Sequence, residues 1–213
     1  MTFKDMCNMK QYIFDCNSCS TRCDGKSKGI YIFNNDVKFS EERENKVIQQ
    51  INTVDGFLAK KCEKDGYPDI EVLHKPTGKV FYIEIKVQRR TFMAVKRLLP
   101  EADLEPSETL ALNLSDLLRY FEIHEKDGAP VFILWCVLER PCVVPAGETR
   151  YFYQNVELLK SIYQKYYDKR RFRRKSGYGD VVDGQHKGVV VNYHFSLNEF
   201  RELHLLELLN SIK

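Results

Sequence analysis

Residues 68–90, PDIEVLHKPTGKVFYIEIKVQRR, contain the pattern on which the predicted fold depends. Two strand-like runs flank a Pro-Thr-Gly turn, and the second run alternates apolar and polar side chains with the period of a β-strand. Proline presets φ and glycine accepts positive φ, so the turn favours a hairpin. One face of the second strand carries Glu84, Lys86 and Gln88. We expect this face to meet water, a partner or a metal, because uncompensated buried charge is costly.

The register of the hairpin decides whether two carboxylates meet. A four-residue loop would pair His74 with Lys79 and place Asp69 directly opposite Glu84. A three-residue loop would instead pair Asp69 with Ile85, and the two acids would then point to opposite faces. Both registers are compatible with the sequence, and only the first one forms a site.

Paired carboxylates on this face would indicate a divalent metal. Two carboxylates a few ångström apart repel each other, and hard oxygen ligands suit Mg²⁺ or Mn²⁺. The ammonium of Lys86 would stabilise negative charge that develops on a phosphate, while the metal lowers the pKa of an attacking water. Gln88, one step along the same face, would position water or a phosphate oxygen.

At these residues the sequence resembles the PD-(D/E)XK nuclease superfamily, and it looks particularly like Holliday-junction resolvases and small restriction endonucleases. The hallmark of that superfamily is Pro-Asp, a hairpin spacer and Glu-x-Lys, here Pro68, Asp69, Glu84 and Lys86. The resemblance implies a restriction endonuclease-like α/β (α+β) fold, with a mixed central sheet flanked by helices. It also implies a Mg²⁺-dependent nuclease that hydrolyses phosphodiester bonds of DNA, with RNA not excluded. It covers residues 40–138.

A third acid is expected from the helix before the first strand, because the superfamily usually supplies one there. Ser40 is predicted to be the N-cap of that helix, with acids in the first turn. Glu44 precedes Val47 and Ile48 by three and four residues, so it shares their inward face. The resemblance therefore implies that Glu44 joins the two hairpin carboxylates as a metal ligand, with Glu41 in reserve.

The rest of the chain alternates helices with strands, which indicates an α/β or α+β sandwich around a mixed sheet. A helix is predicted near residues 115–125 with Leu117, Leu118 and Phe121 facing inward. PVFILWCVL after it is predicted to be a buried central strand. The capping box at residues 196–199 is expected to open a final helix, whose leucines are candidates for seating a partner or a second copy in a homodimer.

Two basic clusters are candidate nucleic-acid contacts. KYYDKRRFRRK interleaves aromatic with basic side chains, which suits phosphates and unpaired bases. The other cluster directly follows the proposed active strand. For KYYDKRRFRRK alone, a solvated loop is the competing interpretation. The residues assigned to binding are Arg89, Arg90, Lys96, Arg97, Lys169, Arg170, Arg171, Arg173, Arg174 and Lys175.

The N-terminal part of the chain is rich in cysteine. Residues 1–35 are predicted to be a small segment separate from a nuclease domain at residues 36–213. Four thiolates would bind a structural Zn²⁺, which would fix a piece too small to build its own core. An iron–sulfur cluster would use the same ligands, and free thiols are the third interpretation. The cysteines are Cys7, Cys16, Cys19 and Cys23.

The composition limits the classes of protein to consider. With 213 residues, 43% of them hydrophobic and 30% charged, the chain is long and apolar enough for one main globular core. It lacks an apolar run of about 20 residues and an apolar signal core, so we predict a cytoplasmic protein with no membrane contact. A net charge of +3 is too small to name a partner. The alternative to a nuclease is a non-catalytic nucleic-acid-binding or protein-interaction module on the same fold.

Overall fold

The computed structural model describes residues 12–17, 33–88, 91–138, 140–145, 147–174, 181–182, 185–186, 191–210 and 212. The helices are α1 (Phe33–Asn52), α2 (Val95–Leu98), α3 (Leu114–Asp127), α4 (Val156–Tyr166) and α5 (Leu205–Asn210). The strands are β1 (Phe57–Lys61), β2 (Ile70–His74), β3 (Lys79–Gln88), β4 (Thr109–Asn113), β5 (Val131–Val137), β6 (Arg150–Asn155), β7 (Arg171–Arg173), β8 (Val181–Val182), β9 (Gln185–His186), β10 (Val191–Ser196) and β11 (Arg201–Glu202). Short 3-10 helices span Pro106–Glu108, Tyr167–Arg170 and Leu197–Glu199.

A six-stranded sheet forms the centre of the fold, in the order β1-β2-β3-β5-β6-β11. The pair β3 and β5 is parallel, and the other neighbours are antiparallel. All seven residues of β5 are buried, as expected of a strand covered on both faces. A smaller sheet has the order β4-β10-β7. The prediction of an α/β fold with a mixed central sheet flanked by helices is therefore confirmed.

The central sheet is covered on both faces. Val47 and Ile51 of α1 and Leu208 of α5 pack on one face, with the apolar residues of the hairpin. On the other face α3, α4 and the smaller sheet enclose a second core, which includes Tyr82 of β3 and Trp135 of β5. Apolar burial on both faces is the main driving force for such an arrangement. It also shields the polar face of β3 from much of the water, since Glu84 is buried and Lys86 and Gln88 are half-buried.

Two predicted helix starts are wrong, for different reasons. Helix α1 begins at Phe33, so Ser40 lies inside it. The sequence FNNDVKF before Ser40 contains no glycine or proline, and nothing local ends the helix there. The capping box is present, with Ser196 N–H donating to Glu199 Oε2 at 2.9 Å, but it opens only the 3-10 helix. The chain then extends to pair β11 with β6, so sheet pairing overrides the local helix signal.

The direction of several leucines differs from the prediction. Leu117 and Phe121 of α3 are buried, whereas Leu118 is 38% exposed. Leu118 lies about 100° around the helix from Leu117, outside the buried stripe. In α5, Leu208 and Leu209 pack on the protein's own core, and only Leu206 is a large exposed leucine there. The final helix thus has its apolar face already covered.

Most of the basic run KYYDKRRFRRK is folded rather than a loop. Its residues 165–173 form the end of α4, a 3-10 helix and β7, which pairs with β10. Arg170 is 2% exposed and donates to Glu199 Oε1 at 2.6 Å and to the carbonyl of Ala102 at 3.0 Å. Its guanidinium also lies 3.6 Å from the centre of the Tyr166 ring. The assignment of Arg170 to a nucleic-acid surface is therefore wrong, because the side chain is an interior partner of Glu199.

Among the described residues, no helix has both the length and the apolar character that crossing a bilayer requires.

We predict that Arg170→Ala lowers the free energy of unfolding by about 3–5 kcal/mol, because the substitution leaves the half-buried Glu199 without its cation. Burial raises the pKa of Glu199 and Arg170 opposes that rise. The neighbouring Arg171→Ala is the matched control, since Arg171 pairs with Asp168 at the exposed surface; it should cost about 0–1 kcal/mol. Urea unfolding measures both, and equal costs would contradict the buried pair.

Candidate active site

The hairpin adopts the register that brings two carboxylates together. His74 pairs with Lys79, so the loop has four residues, and Asp69, immediately before β2, falls opposite Glu84. Gly78 has φ of 69° and donates its N–H to the carbonyl of His74 at 2.9 Å. This left-handed conformation favours glycine, which explains how the turn selects the four-residue loop. The alternative register, with Asp69 opposite Ile85, does not occur.

Asp69 is held close to the strand it faces. Its Oδ2 accepts the backbone N–H of Ile85 at 2.7 Å. Burial and then the charge of Glu84 raise the pKa of Asp69 to about 7, although the Ile85 N–H and Lys86 oppose the rise. Asp69 is therefore half protonated near neutral pH. Its neighbours in the protein do not fully relieve its repulsion from Glu84.

Glu84 and Lys86 form an ion pair on the same strand. Glu84 is 3% exposed, and its Oε1 accepts from the ammonium of Lys86. Burial alone would lower the pKa of Lys86, but the charge of Glu84 and their hydrogen bond raise it above its ordinary value. Lys86 is therefore a cation at neutral pH, suited to stabilising negative charge rather than to accepting a proton.

Helix α3 contributes a group that the sequence analysis missed. Tyr120 is 2% exposed, and its side chain lies near enough to Glu84 for the charge of that carboxylate to act on it. Burial and then Glu84 raise the pKa of Tyr120 well above its ordinary value, so the hydroxyl remains a donor. The sequence signal was its position three residues after Leu117, on the buried stripe of a helix that faces a polar strand.

Glu44 lies near this group but is bound elsewhere. It belongs to α1, which covers the opposite face of the sheet, and its Oε2 is 3.5 Å from the ammonium of Lys61. Its charge reaches Asp69 and contributes to the raised pKa there. Glu41, the reserve residue, is exposed. The role of Glu44 as a third ligand stays a prediction, which requires its carboxylate to leave Lys61.

Gln88 joins the two sheets. Its Nε2 donates to the carbonyl of Thr109 at 3.1 Å, and its Oε1 accepts from the N–H of Ala111 at 2.9 Å. Both ends of the amide are thus bonded to the backbone of β4. Its predicted role with water or phosphate stays a prediction.

The donor set fits a divalent cation only in part. Within the described ranges, no three Asp, Glu, His or Cys side chains are grouped closely enough to hold an ion as they stand. However, Mg²⁺ is commonly bound through one or two carboxylates, with waters and substrate oxygens completing the octahedron. Asp69 and Glu84 are two such carboxylates, and their repulsion would be relieved by a cation. The residues therefore fit Mg²⁺ or Mn²⁺ shared with a phosphate.

The predicted nucleic-acid contacts have varied surroundings. Three lie outside the described residues: Arg89, Arg90 and Lys175. Three others form ion pairs with acids, which are Lys96 with Glu105, Lys169 with Glu101 and Arg171 with Asp168. Arg97 and Arg173 are exposed, and Arg174 is half-buried. The acidic partners reduce the net charge of this surface, and the binding role stays a prediction.

The cysteine segment is described only in part. Cys7, Cys19 and Cys23 lie outside the described residues. The thiol of Cys16 is half-buried, with its Sγ 2.8 Å from Ser107 Oγ. Nearby, the backbone N–H of Tyr12 donates to Asn198 Oδ1 at 2.9 Å, so residues 12–17 contact the main core. The predicted Zn²⁺ or iron–sulfur site stays a prediction.

A cavity of about 520 Å³ lies apart from the hairpin. Lys96, Lys165 and Arg170 line it together with Glu105 and Glu199, and none of the hairpin carboxylates reaches it. Its walls contain acids and bases that pair with each other, Lys96 with Glu105 and Arg170 with Glu199. The carboxylates that repel each other, Asp69 and Glu84, lie at the hairpin. The candidate active site is therefore placed at the hairpin and not at the cavity.

No protein-family model matches the sequence, and no curated protein matches it. Among solved structures, the chain is similar to Hjc, a Holliday junction resolvase from the archaeal hyperthermophile Archaeoglobus fulgidus. The sequences are 12% identical, the TM-score is 0.44, and the similarity covers 81% of this chain and 96% of that one. The assignment of the site rests on the geometry of its own residues.

We predict that Asp69→Asn stabilises the protein increasingly as pH rises. The pKa of Asp69 is about 7 in the folded state, against an ordinary value of 3.8. Folding therefore binds a proton between these values, and stability falls as pH rises through this window. Asparagine mimics the protonated form, so the gain in Tm should grow from pH 4 to pH 7 and reach about 2–4 °C or more. Calorimetry from pH 4 to pH 7, in buffer with a chelator to keep the protein free of metal, measures this gain in Tm. A gain that did not change with pH would contradict the burial of Asp69.

Proposed function

We propose that this protein is a divalent-metal-dependent nuclease that hydrolyses phosphodiester bonds of DNA at the hairpin. The observation that carries the proposal is the register, which sets Asp69 opposite Glu84 and leaves Lys86 two residues along the same face. Two repelling carboxylates beside a fixed cation suit a metal ion and the phosphate that it activates. An ordinary surface salt bridge between Glu84 and Lys86 would leave both side chains in water, whereas Glu84 is 3% exposed.

Each residue has a distinct part in this proposal. Asp69 and Glu84 bind the metal, which when present polarises the phosphate and lowers the pKa of an attacking water. Lys86, kept protonated by Glu84, stabilises the negative charge that grows on the phosphate. Glu44 serves as a third oxygen donor once it exchanges Lys61 for the metal. Because Asp69 ionises only near neutral pH, metal binding should release a proton there.

DNA is the proposed substrate because the hairpin chemistry acts on phosphodiesters and basic residues are exposed elsewhere on the protein, including Arg97 and Arg173. The same chemistry suits RNA. A second function is a nucleic-acid-binding module without catalysis. The deep burial of Glu84 and its ion pair with Lys86 favour that candidate, since a closed pair competes with a metal.

We predict that the wild type cleaves DNA with Mg²⁺ or Mn²⁺ and that Glu84→Gln and Asp69→Asn abolish cleavage, because each removes a metal ligand. Lys86→Met should keep metal binding and lower kcat by about 10²–10³-fold, because its charge acts mainly in the transition state. Circular, branched and single-stranded DNA, resolved on gels, provide the measurement, and calorimetry follows the metal.

Glu71→Gln is the matched control for these variants. Glu71 lies on the same face of β2, opposite Tyr82, and its carboxylate pairs with Lys60 at 3.1 Å. Its loss should leave cleavage unchanged. Full activity in the Glu84→Gln protein would end the nuclease assignment at this hairpin, and DNA binding without any cleavage by the wild type would favour the second function.

We also predict that replacing Lys169, Arg171 and Arg173 by glutamine weakens DNA binding for all sequences. Each lost phosphate contact should reduce the slope of log K against log salt by about 0.9. Fluorescence anisotropy at several salt concentrations measures the slope, with the exposed Lys79 at the start of β3 replaced as a control. An unchanged slope in the triple variant would remove this surface from the binding site.

A further inference from the structure

A lysine ammonium lies on the same face of the hairpin as the candidate active site. In the register of β2 and β3, the pair Glu71 and Tyr82 follows the pair Asp69 and Glu84 on that face. Because residues two apart in a strand share a face, the backbones of the two pairs are separated by about 7 Å along the strands. Lys64 reaches the second pair: its Nζ donates to the Tyr82 hydroxyl oxygen at 2.6 Å and lies 3.6 Å from Glu71 Oε2.

Two aromatic rings hold this ammonium in place. Nζ of Lys64 lies 4.9 Å from the centre of the Tyr67 ring and 5.1 Å from the centre of the Tyr82 ring, within the range of cation–π contacts. The two rings pack edge to face at 5.3 Å. Tyr82 is 3% exposed, and the hydroxyl of Tyr67 donates to Asp127 Oδ2 of α3 at 2.7 Å. The position of the ammonium is thus fixed before any ligand binds.

The contacts of Lys64 leave positive charge in excess. Glu71 does not require Lys64 as its partner, since its Oε1 already pairs with Lys60 at 3.1 Å. Two lysines therefore face one carboxylate. An ammonium has three donors, and the Lys64 side chain is 51% exposed, so a further acceptor can reach it. A lysine fixed in advance suits an anion, because ordering this long side chain is otherwise a cost of binding.

We propose that Lys64 forms a phosphate subsite, in which its ammonium binds a backbone phosphate of DNA next to the one cleaved at the hairpin. The inference deepens the proposed function and rests on it, since it takes the substrate at Asp69 and Glu84 to be a nucleic acid. A DNA strand that runs along this face would set a flanking phosphate over Tyr82. Lys64 binds that phosphate as a point charge, so it positions the strand without reading its sequence and takes no part in bond breaking.

The test compares Lys64→Met with Lys60→Met. Both variants remove one positive charge and one partner of Glu71, but Lys60 lies on β1, one strand further from β3. Fluorescence anisotropy in chelator, at several salt concentrations, measures DNA binding without cleavage. Lys64→Met should weaken binding about 10-fold and reduce the slope of log K against log salt by about 0.9. With Mg²⁺ it should raise KM by a similar factor and leave kcat unchanged. Lys60→Met should leave the slope and KM at wild-type values.

Tyr82→Phe tests the anchoring of the ammonium. The ring stays in the core, and only the hydroxyl that accepts from Lys64 is lost. This variant should raise KM for DNA and should add little to Lys64→Met, because both changes act on the same contact.

Two results would overturn the subsite while the wild type still cleaved DNA: an unchanged slope and KM in Lys64→Met, or an equal loss of binding in Lys60→Met. DNA binding that depends on Lys64 in a wild type that never cleaves would overturn the nuclease and support the phosphate contact. A wild type that did not bind DNA at all would overturn both.

Discussion

The structure depends most on the pairing of β2 with β3 in one register. The side chains of a strand alternate between two faces. A slip of one residue would therefore move Asp69 away from Glu84 and turn the apolar side chains of the slipped strand to the opposite face of the sheet. Gly78 closes the turn that prevents this slip. Strand β3 also pairs with β5 at the centre of the sheet. The register of the hairpin therefore also determines which hairpin side chains enter each of the two cores.

A polar strand face inside a protein has to be satisfied from within. On β3 the side chain of Glu84 pairs with Lys86, and that of Gln88 is bonded to the backbone of β4. Asp69, which faces β3 from the residue before β2, differs, since its backbone hydrogen bond from Ile85 does not offset burial beside another carboxylate. The energetic imbalance of the face is thus concentrated on a single residue. A strongly perturbed carboxyl of this kind is more typical of functional sites than of ordinary buried polar networks.

Local patterns predicted the hairpin and the buried central strand, because strand alternation and turn chemistry are properties of neighbouring residues. For the two carboxylates they left two registers open, and the structure adopts the one in which the carboxylates face each other. They failed where contacts distant in sequence decide. The 3-10 helix at Ser196 stops because β11 pairs with β6, and Arg170 turns inward because Glu199 lies beside it. Tyr120 could be placed on a buried stripe from sequence, but Glu84 lies in another element, and only folding brings its charge close to Tyr120.

The two hydrogen bonds of Gln88 limit which residues that position tolerates. An amide offers a donor at one end and an acceptor at the other, and the backbone of β4 presents the complementary carbonyl and N–H. Glutamate would set two acceptors against each other at Thr109, and lysine would leave the Ala111 N–H without its acceptor. Arrangements of this kind make glutamine hard to exchange even for residues of similar length and polarity. Substitution of Gln88 is thus restricted by its hydrogen bonds between the two sheets, whether or not the residue takes part in chemistry.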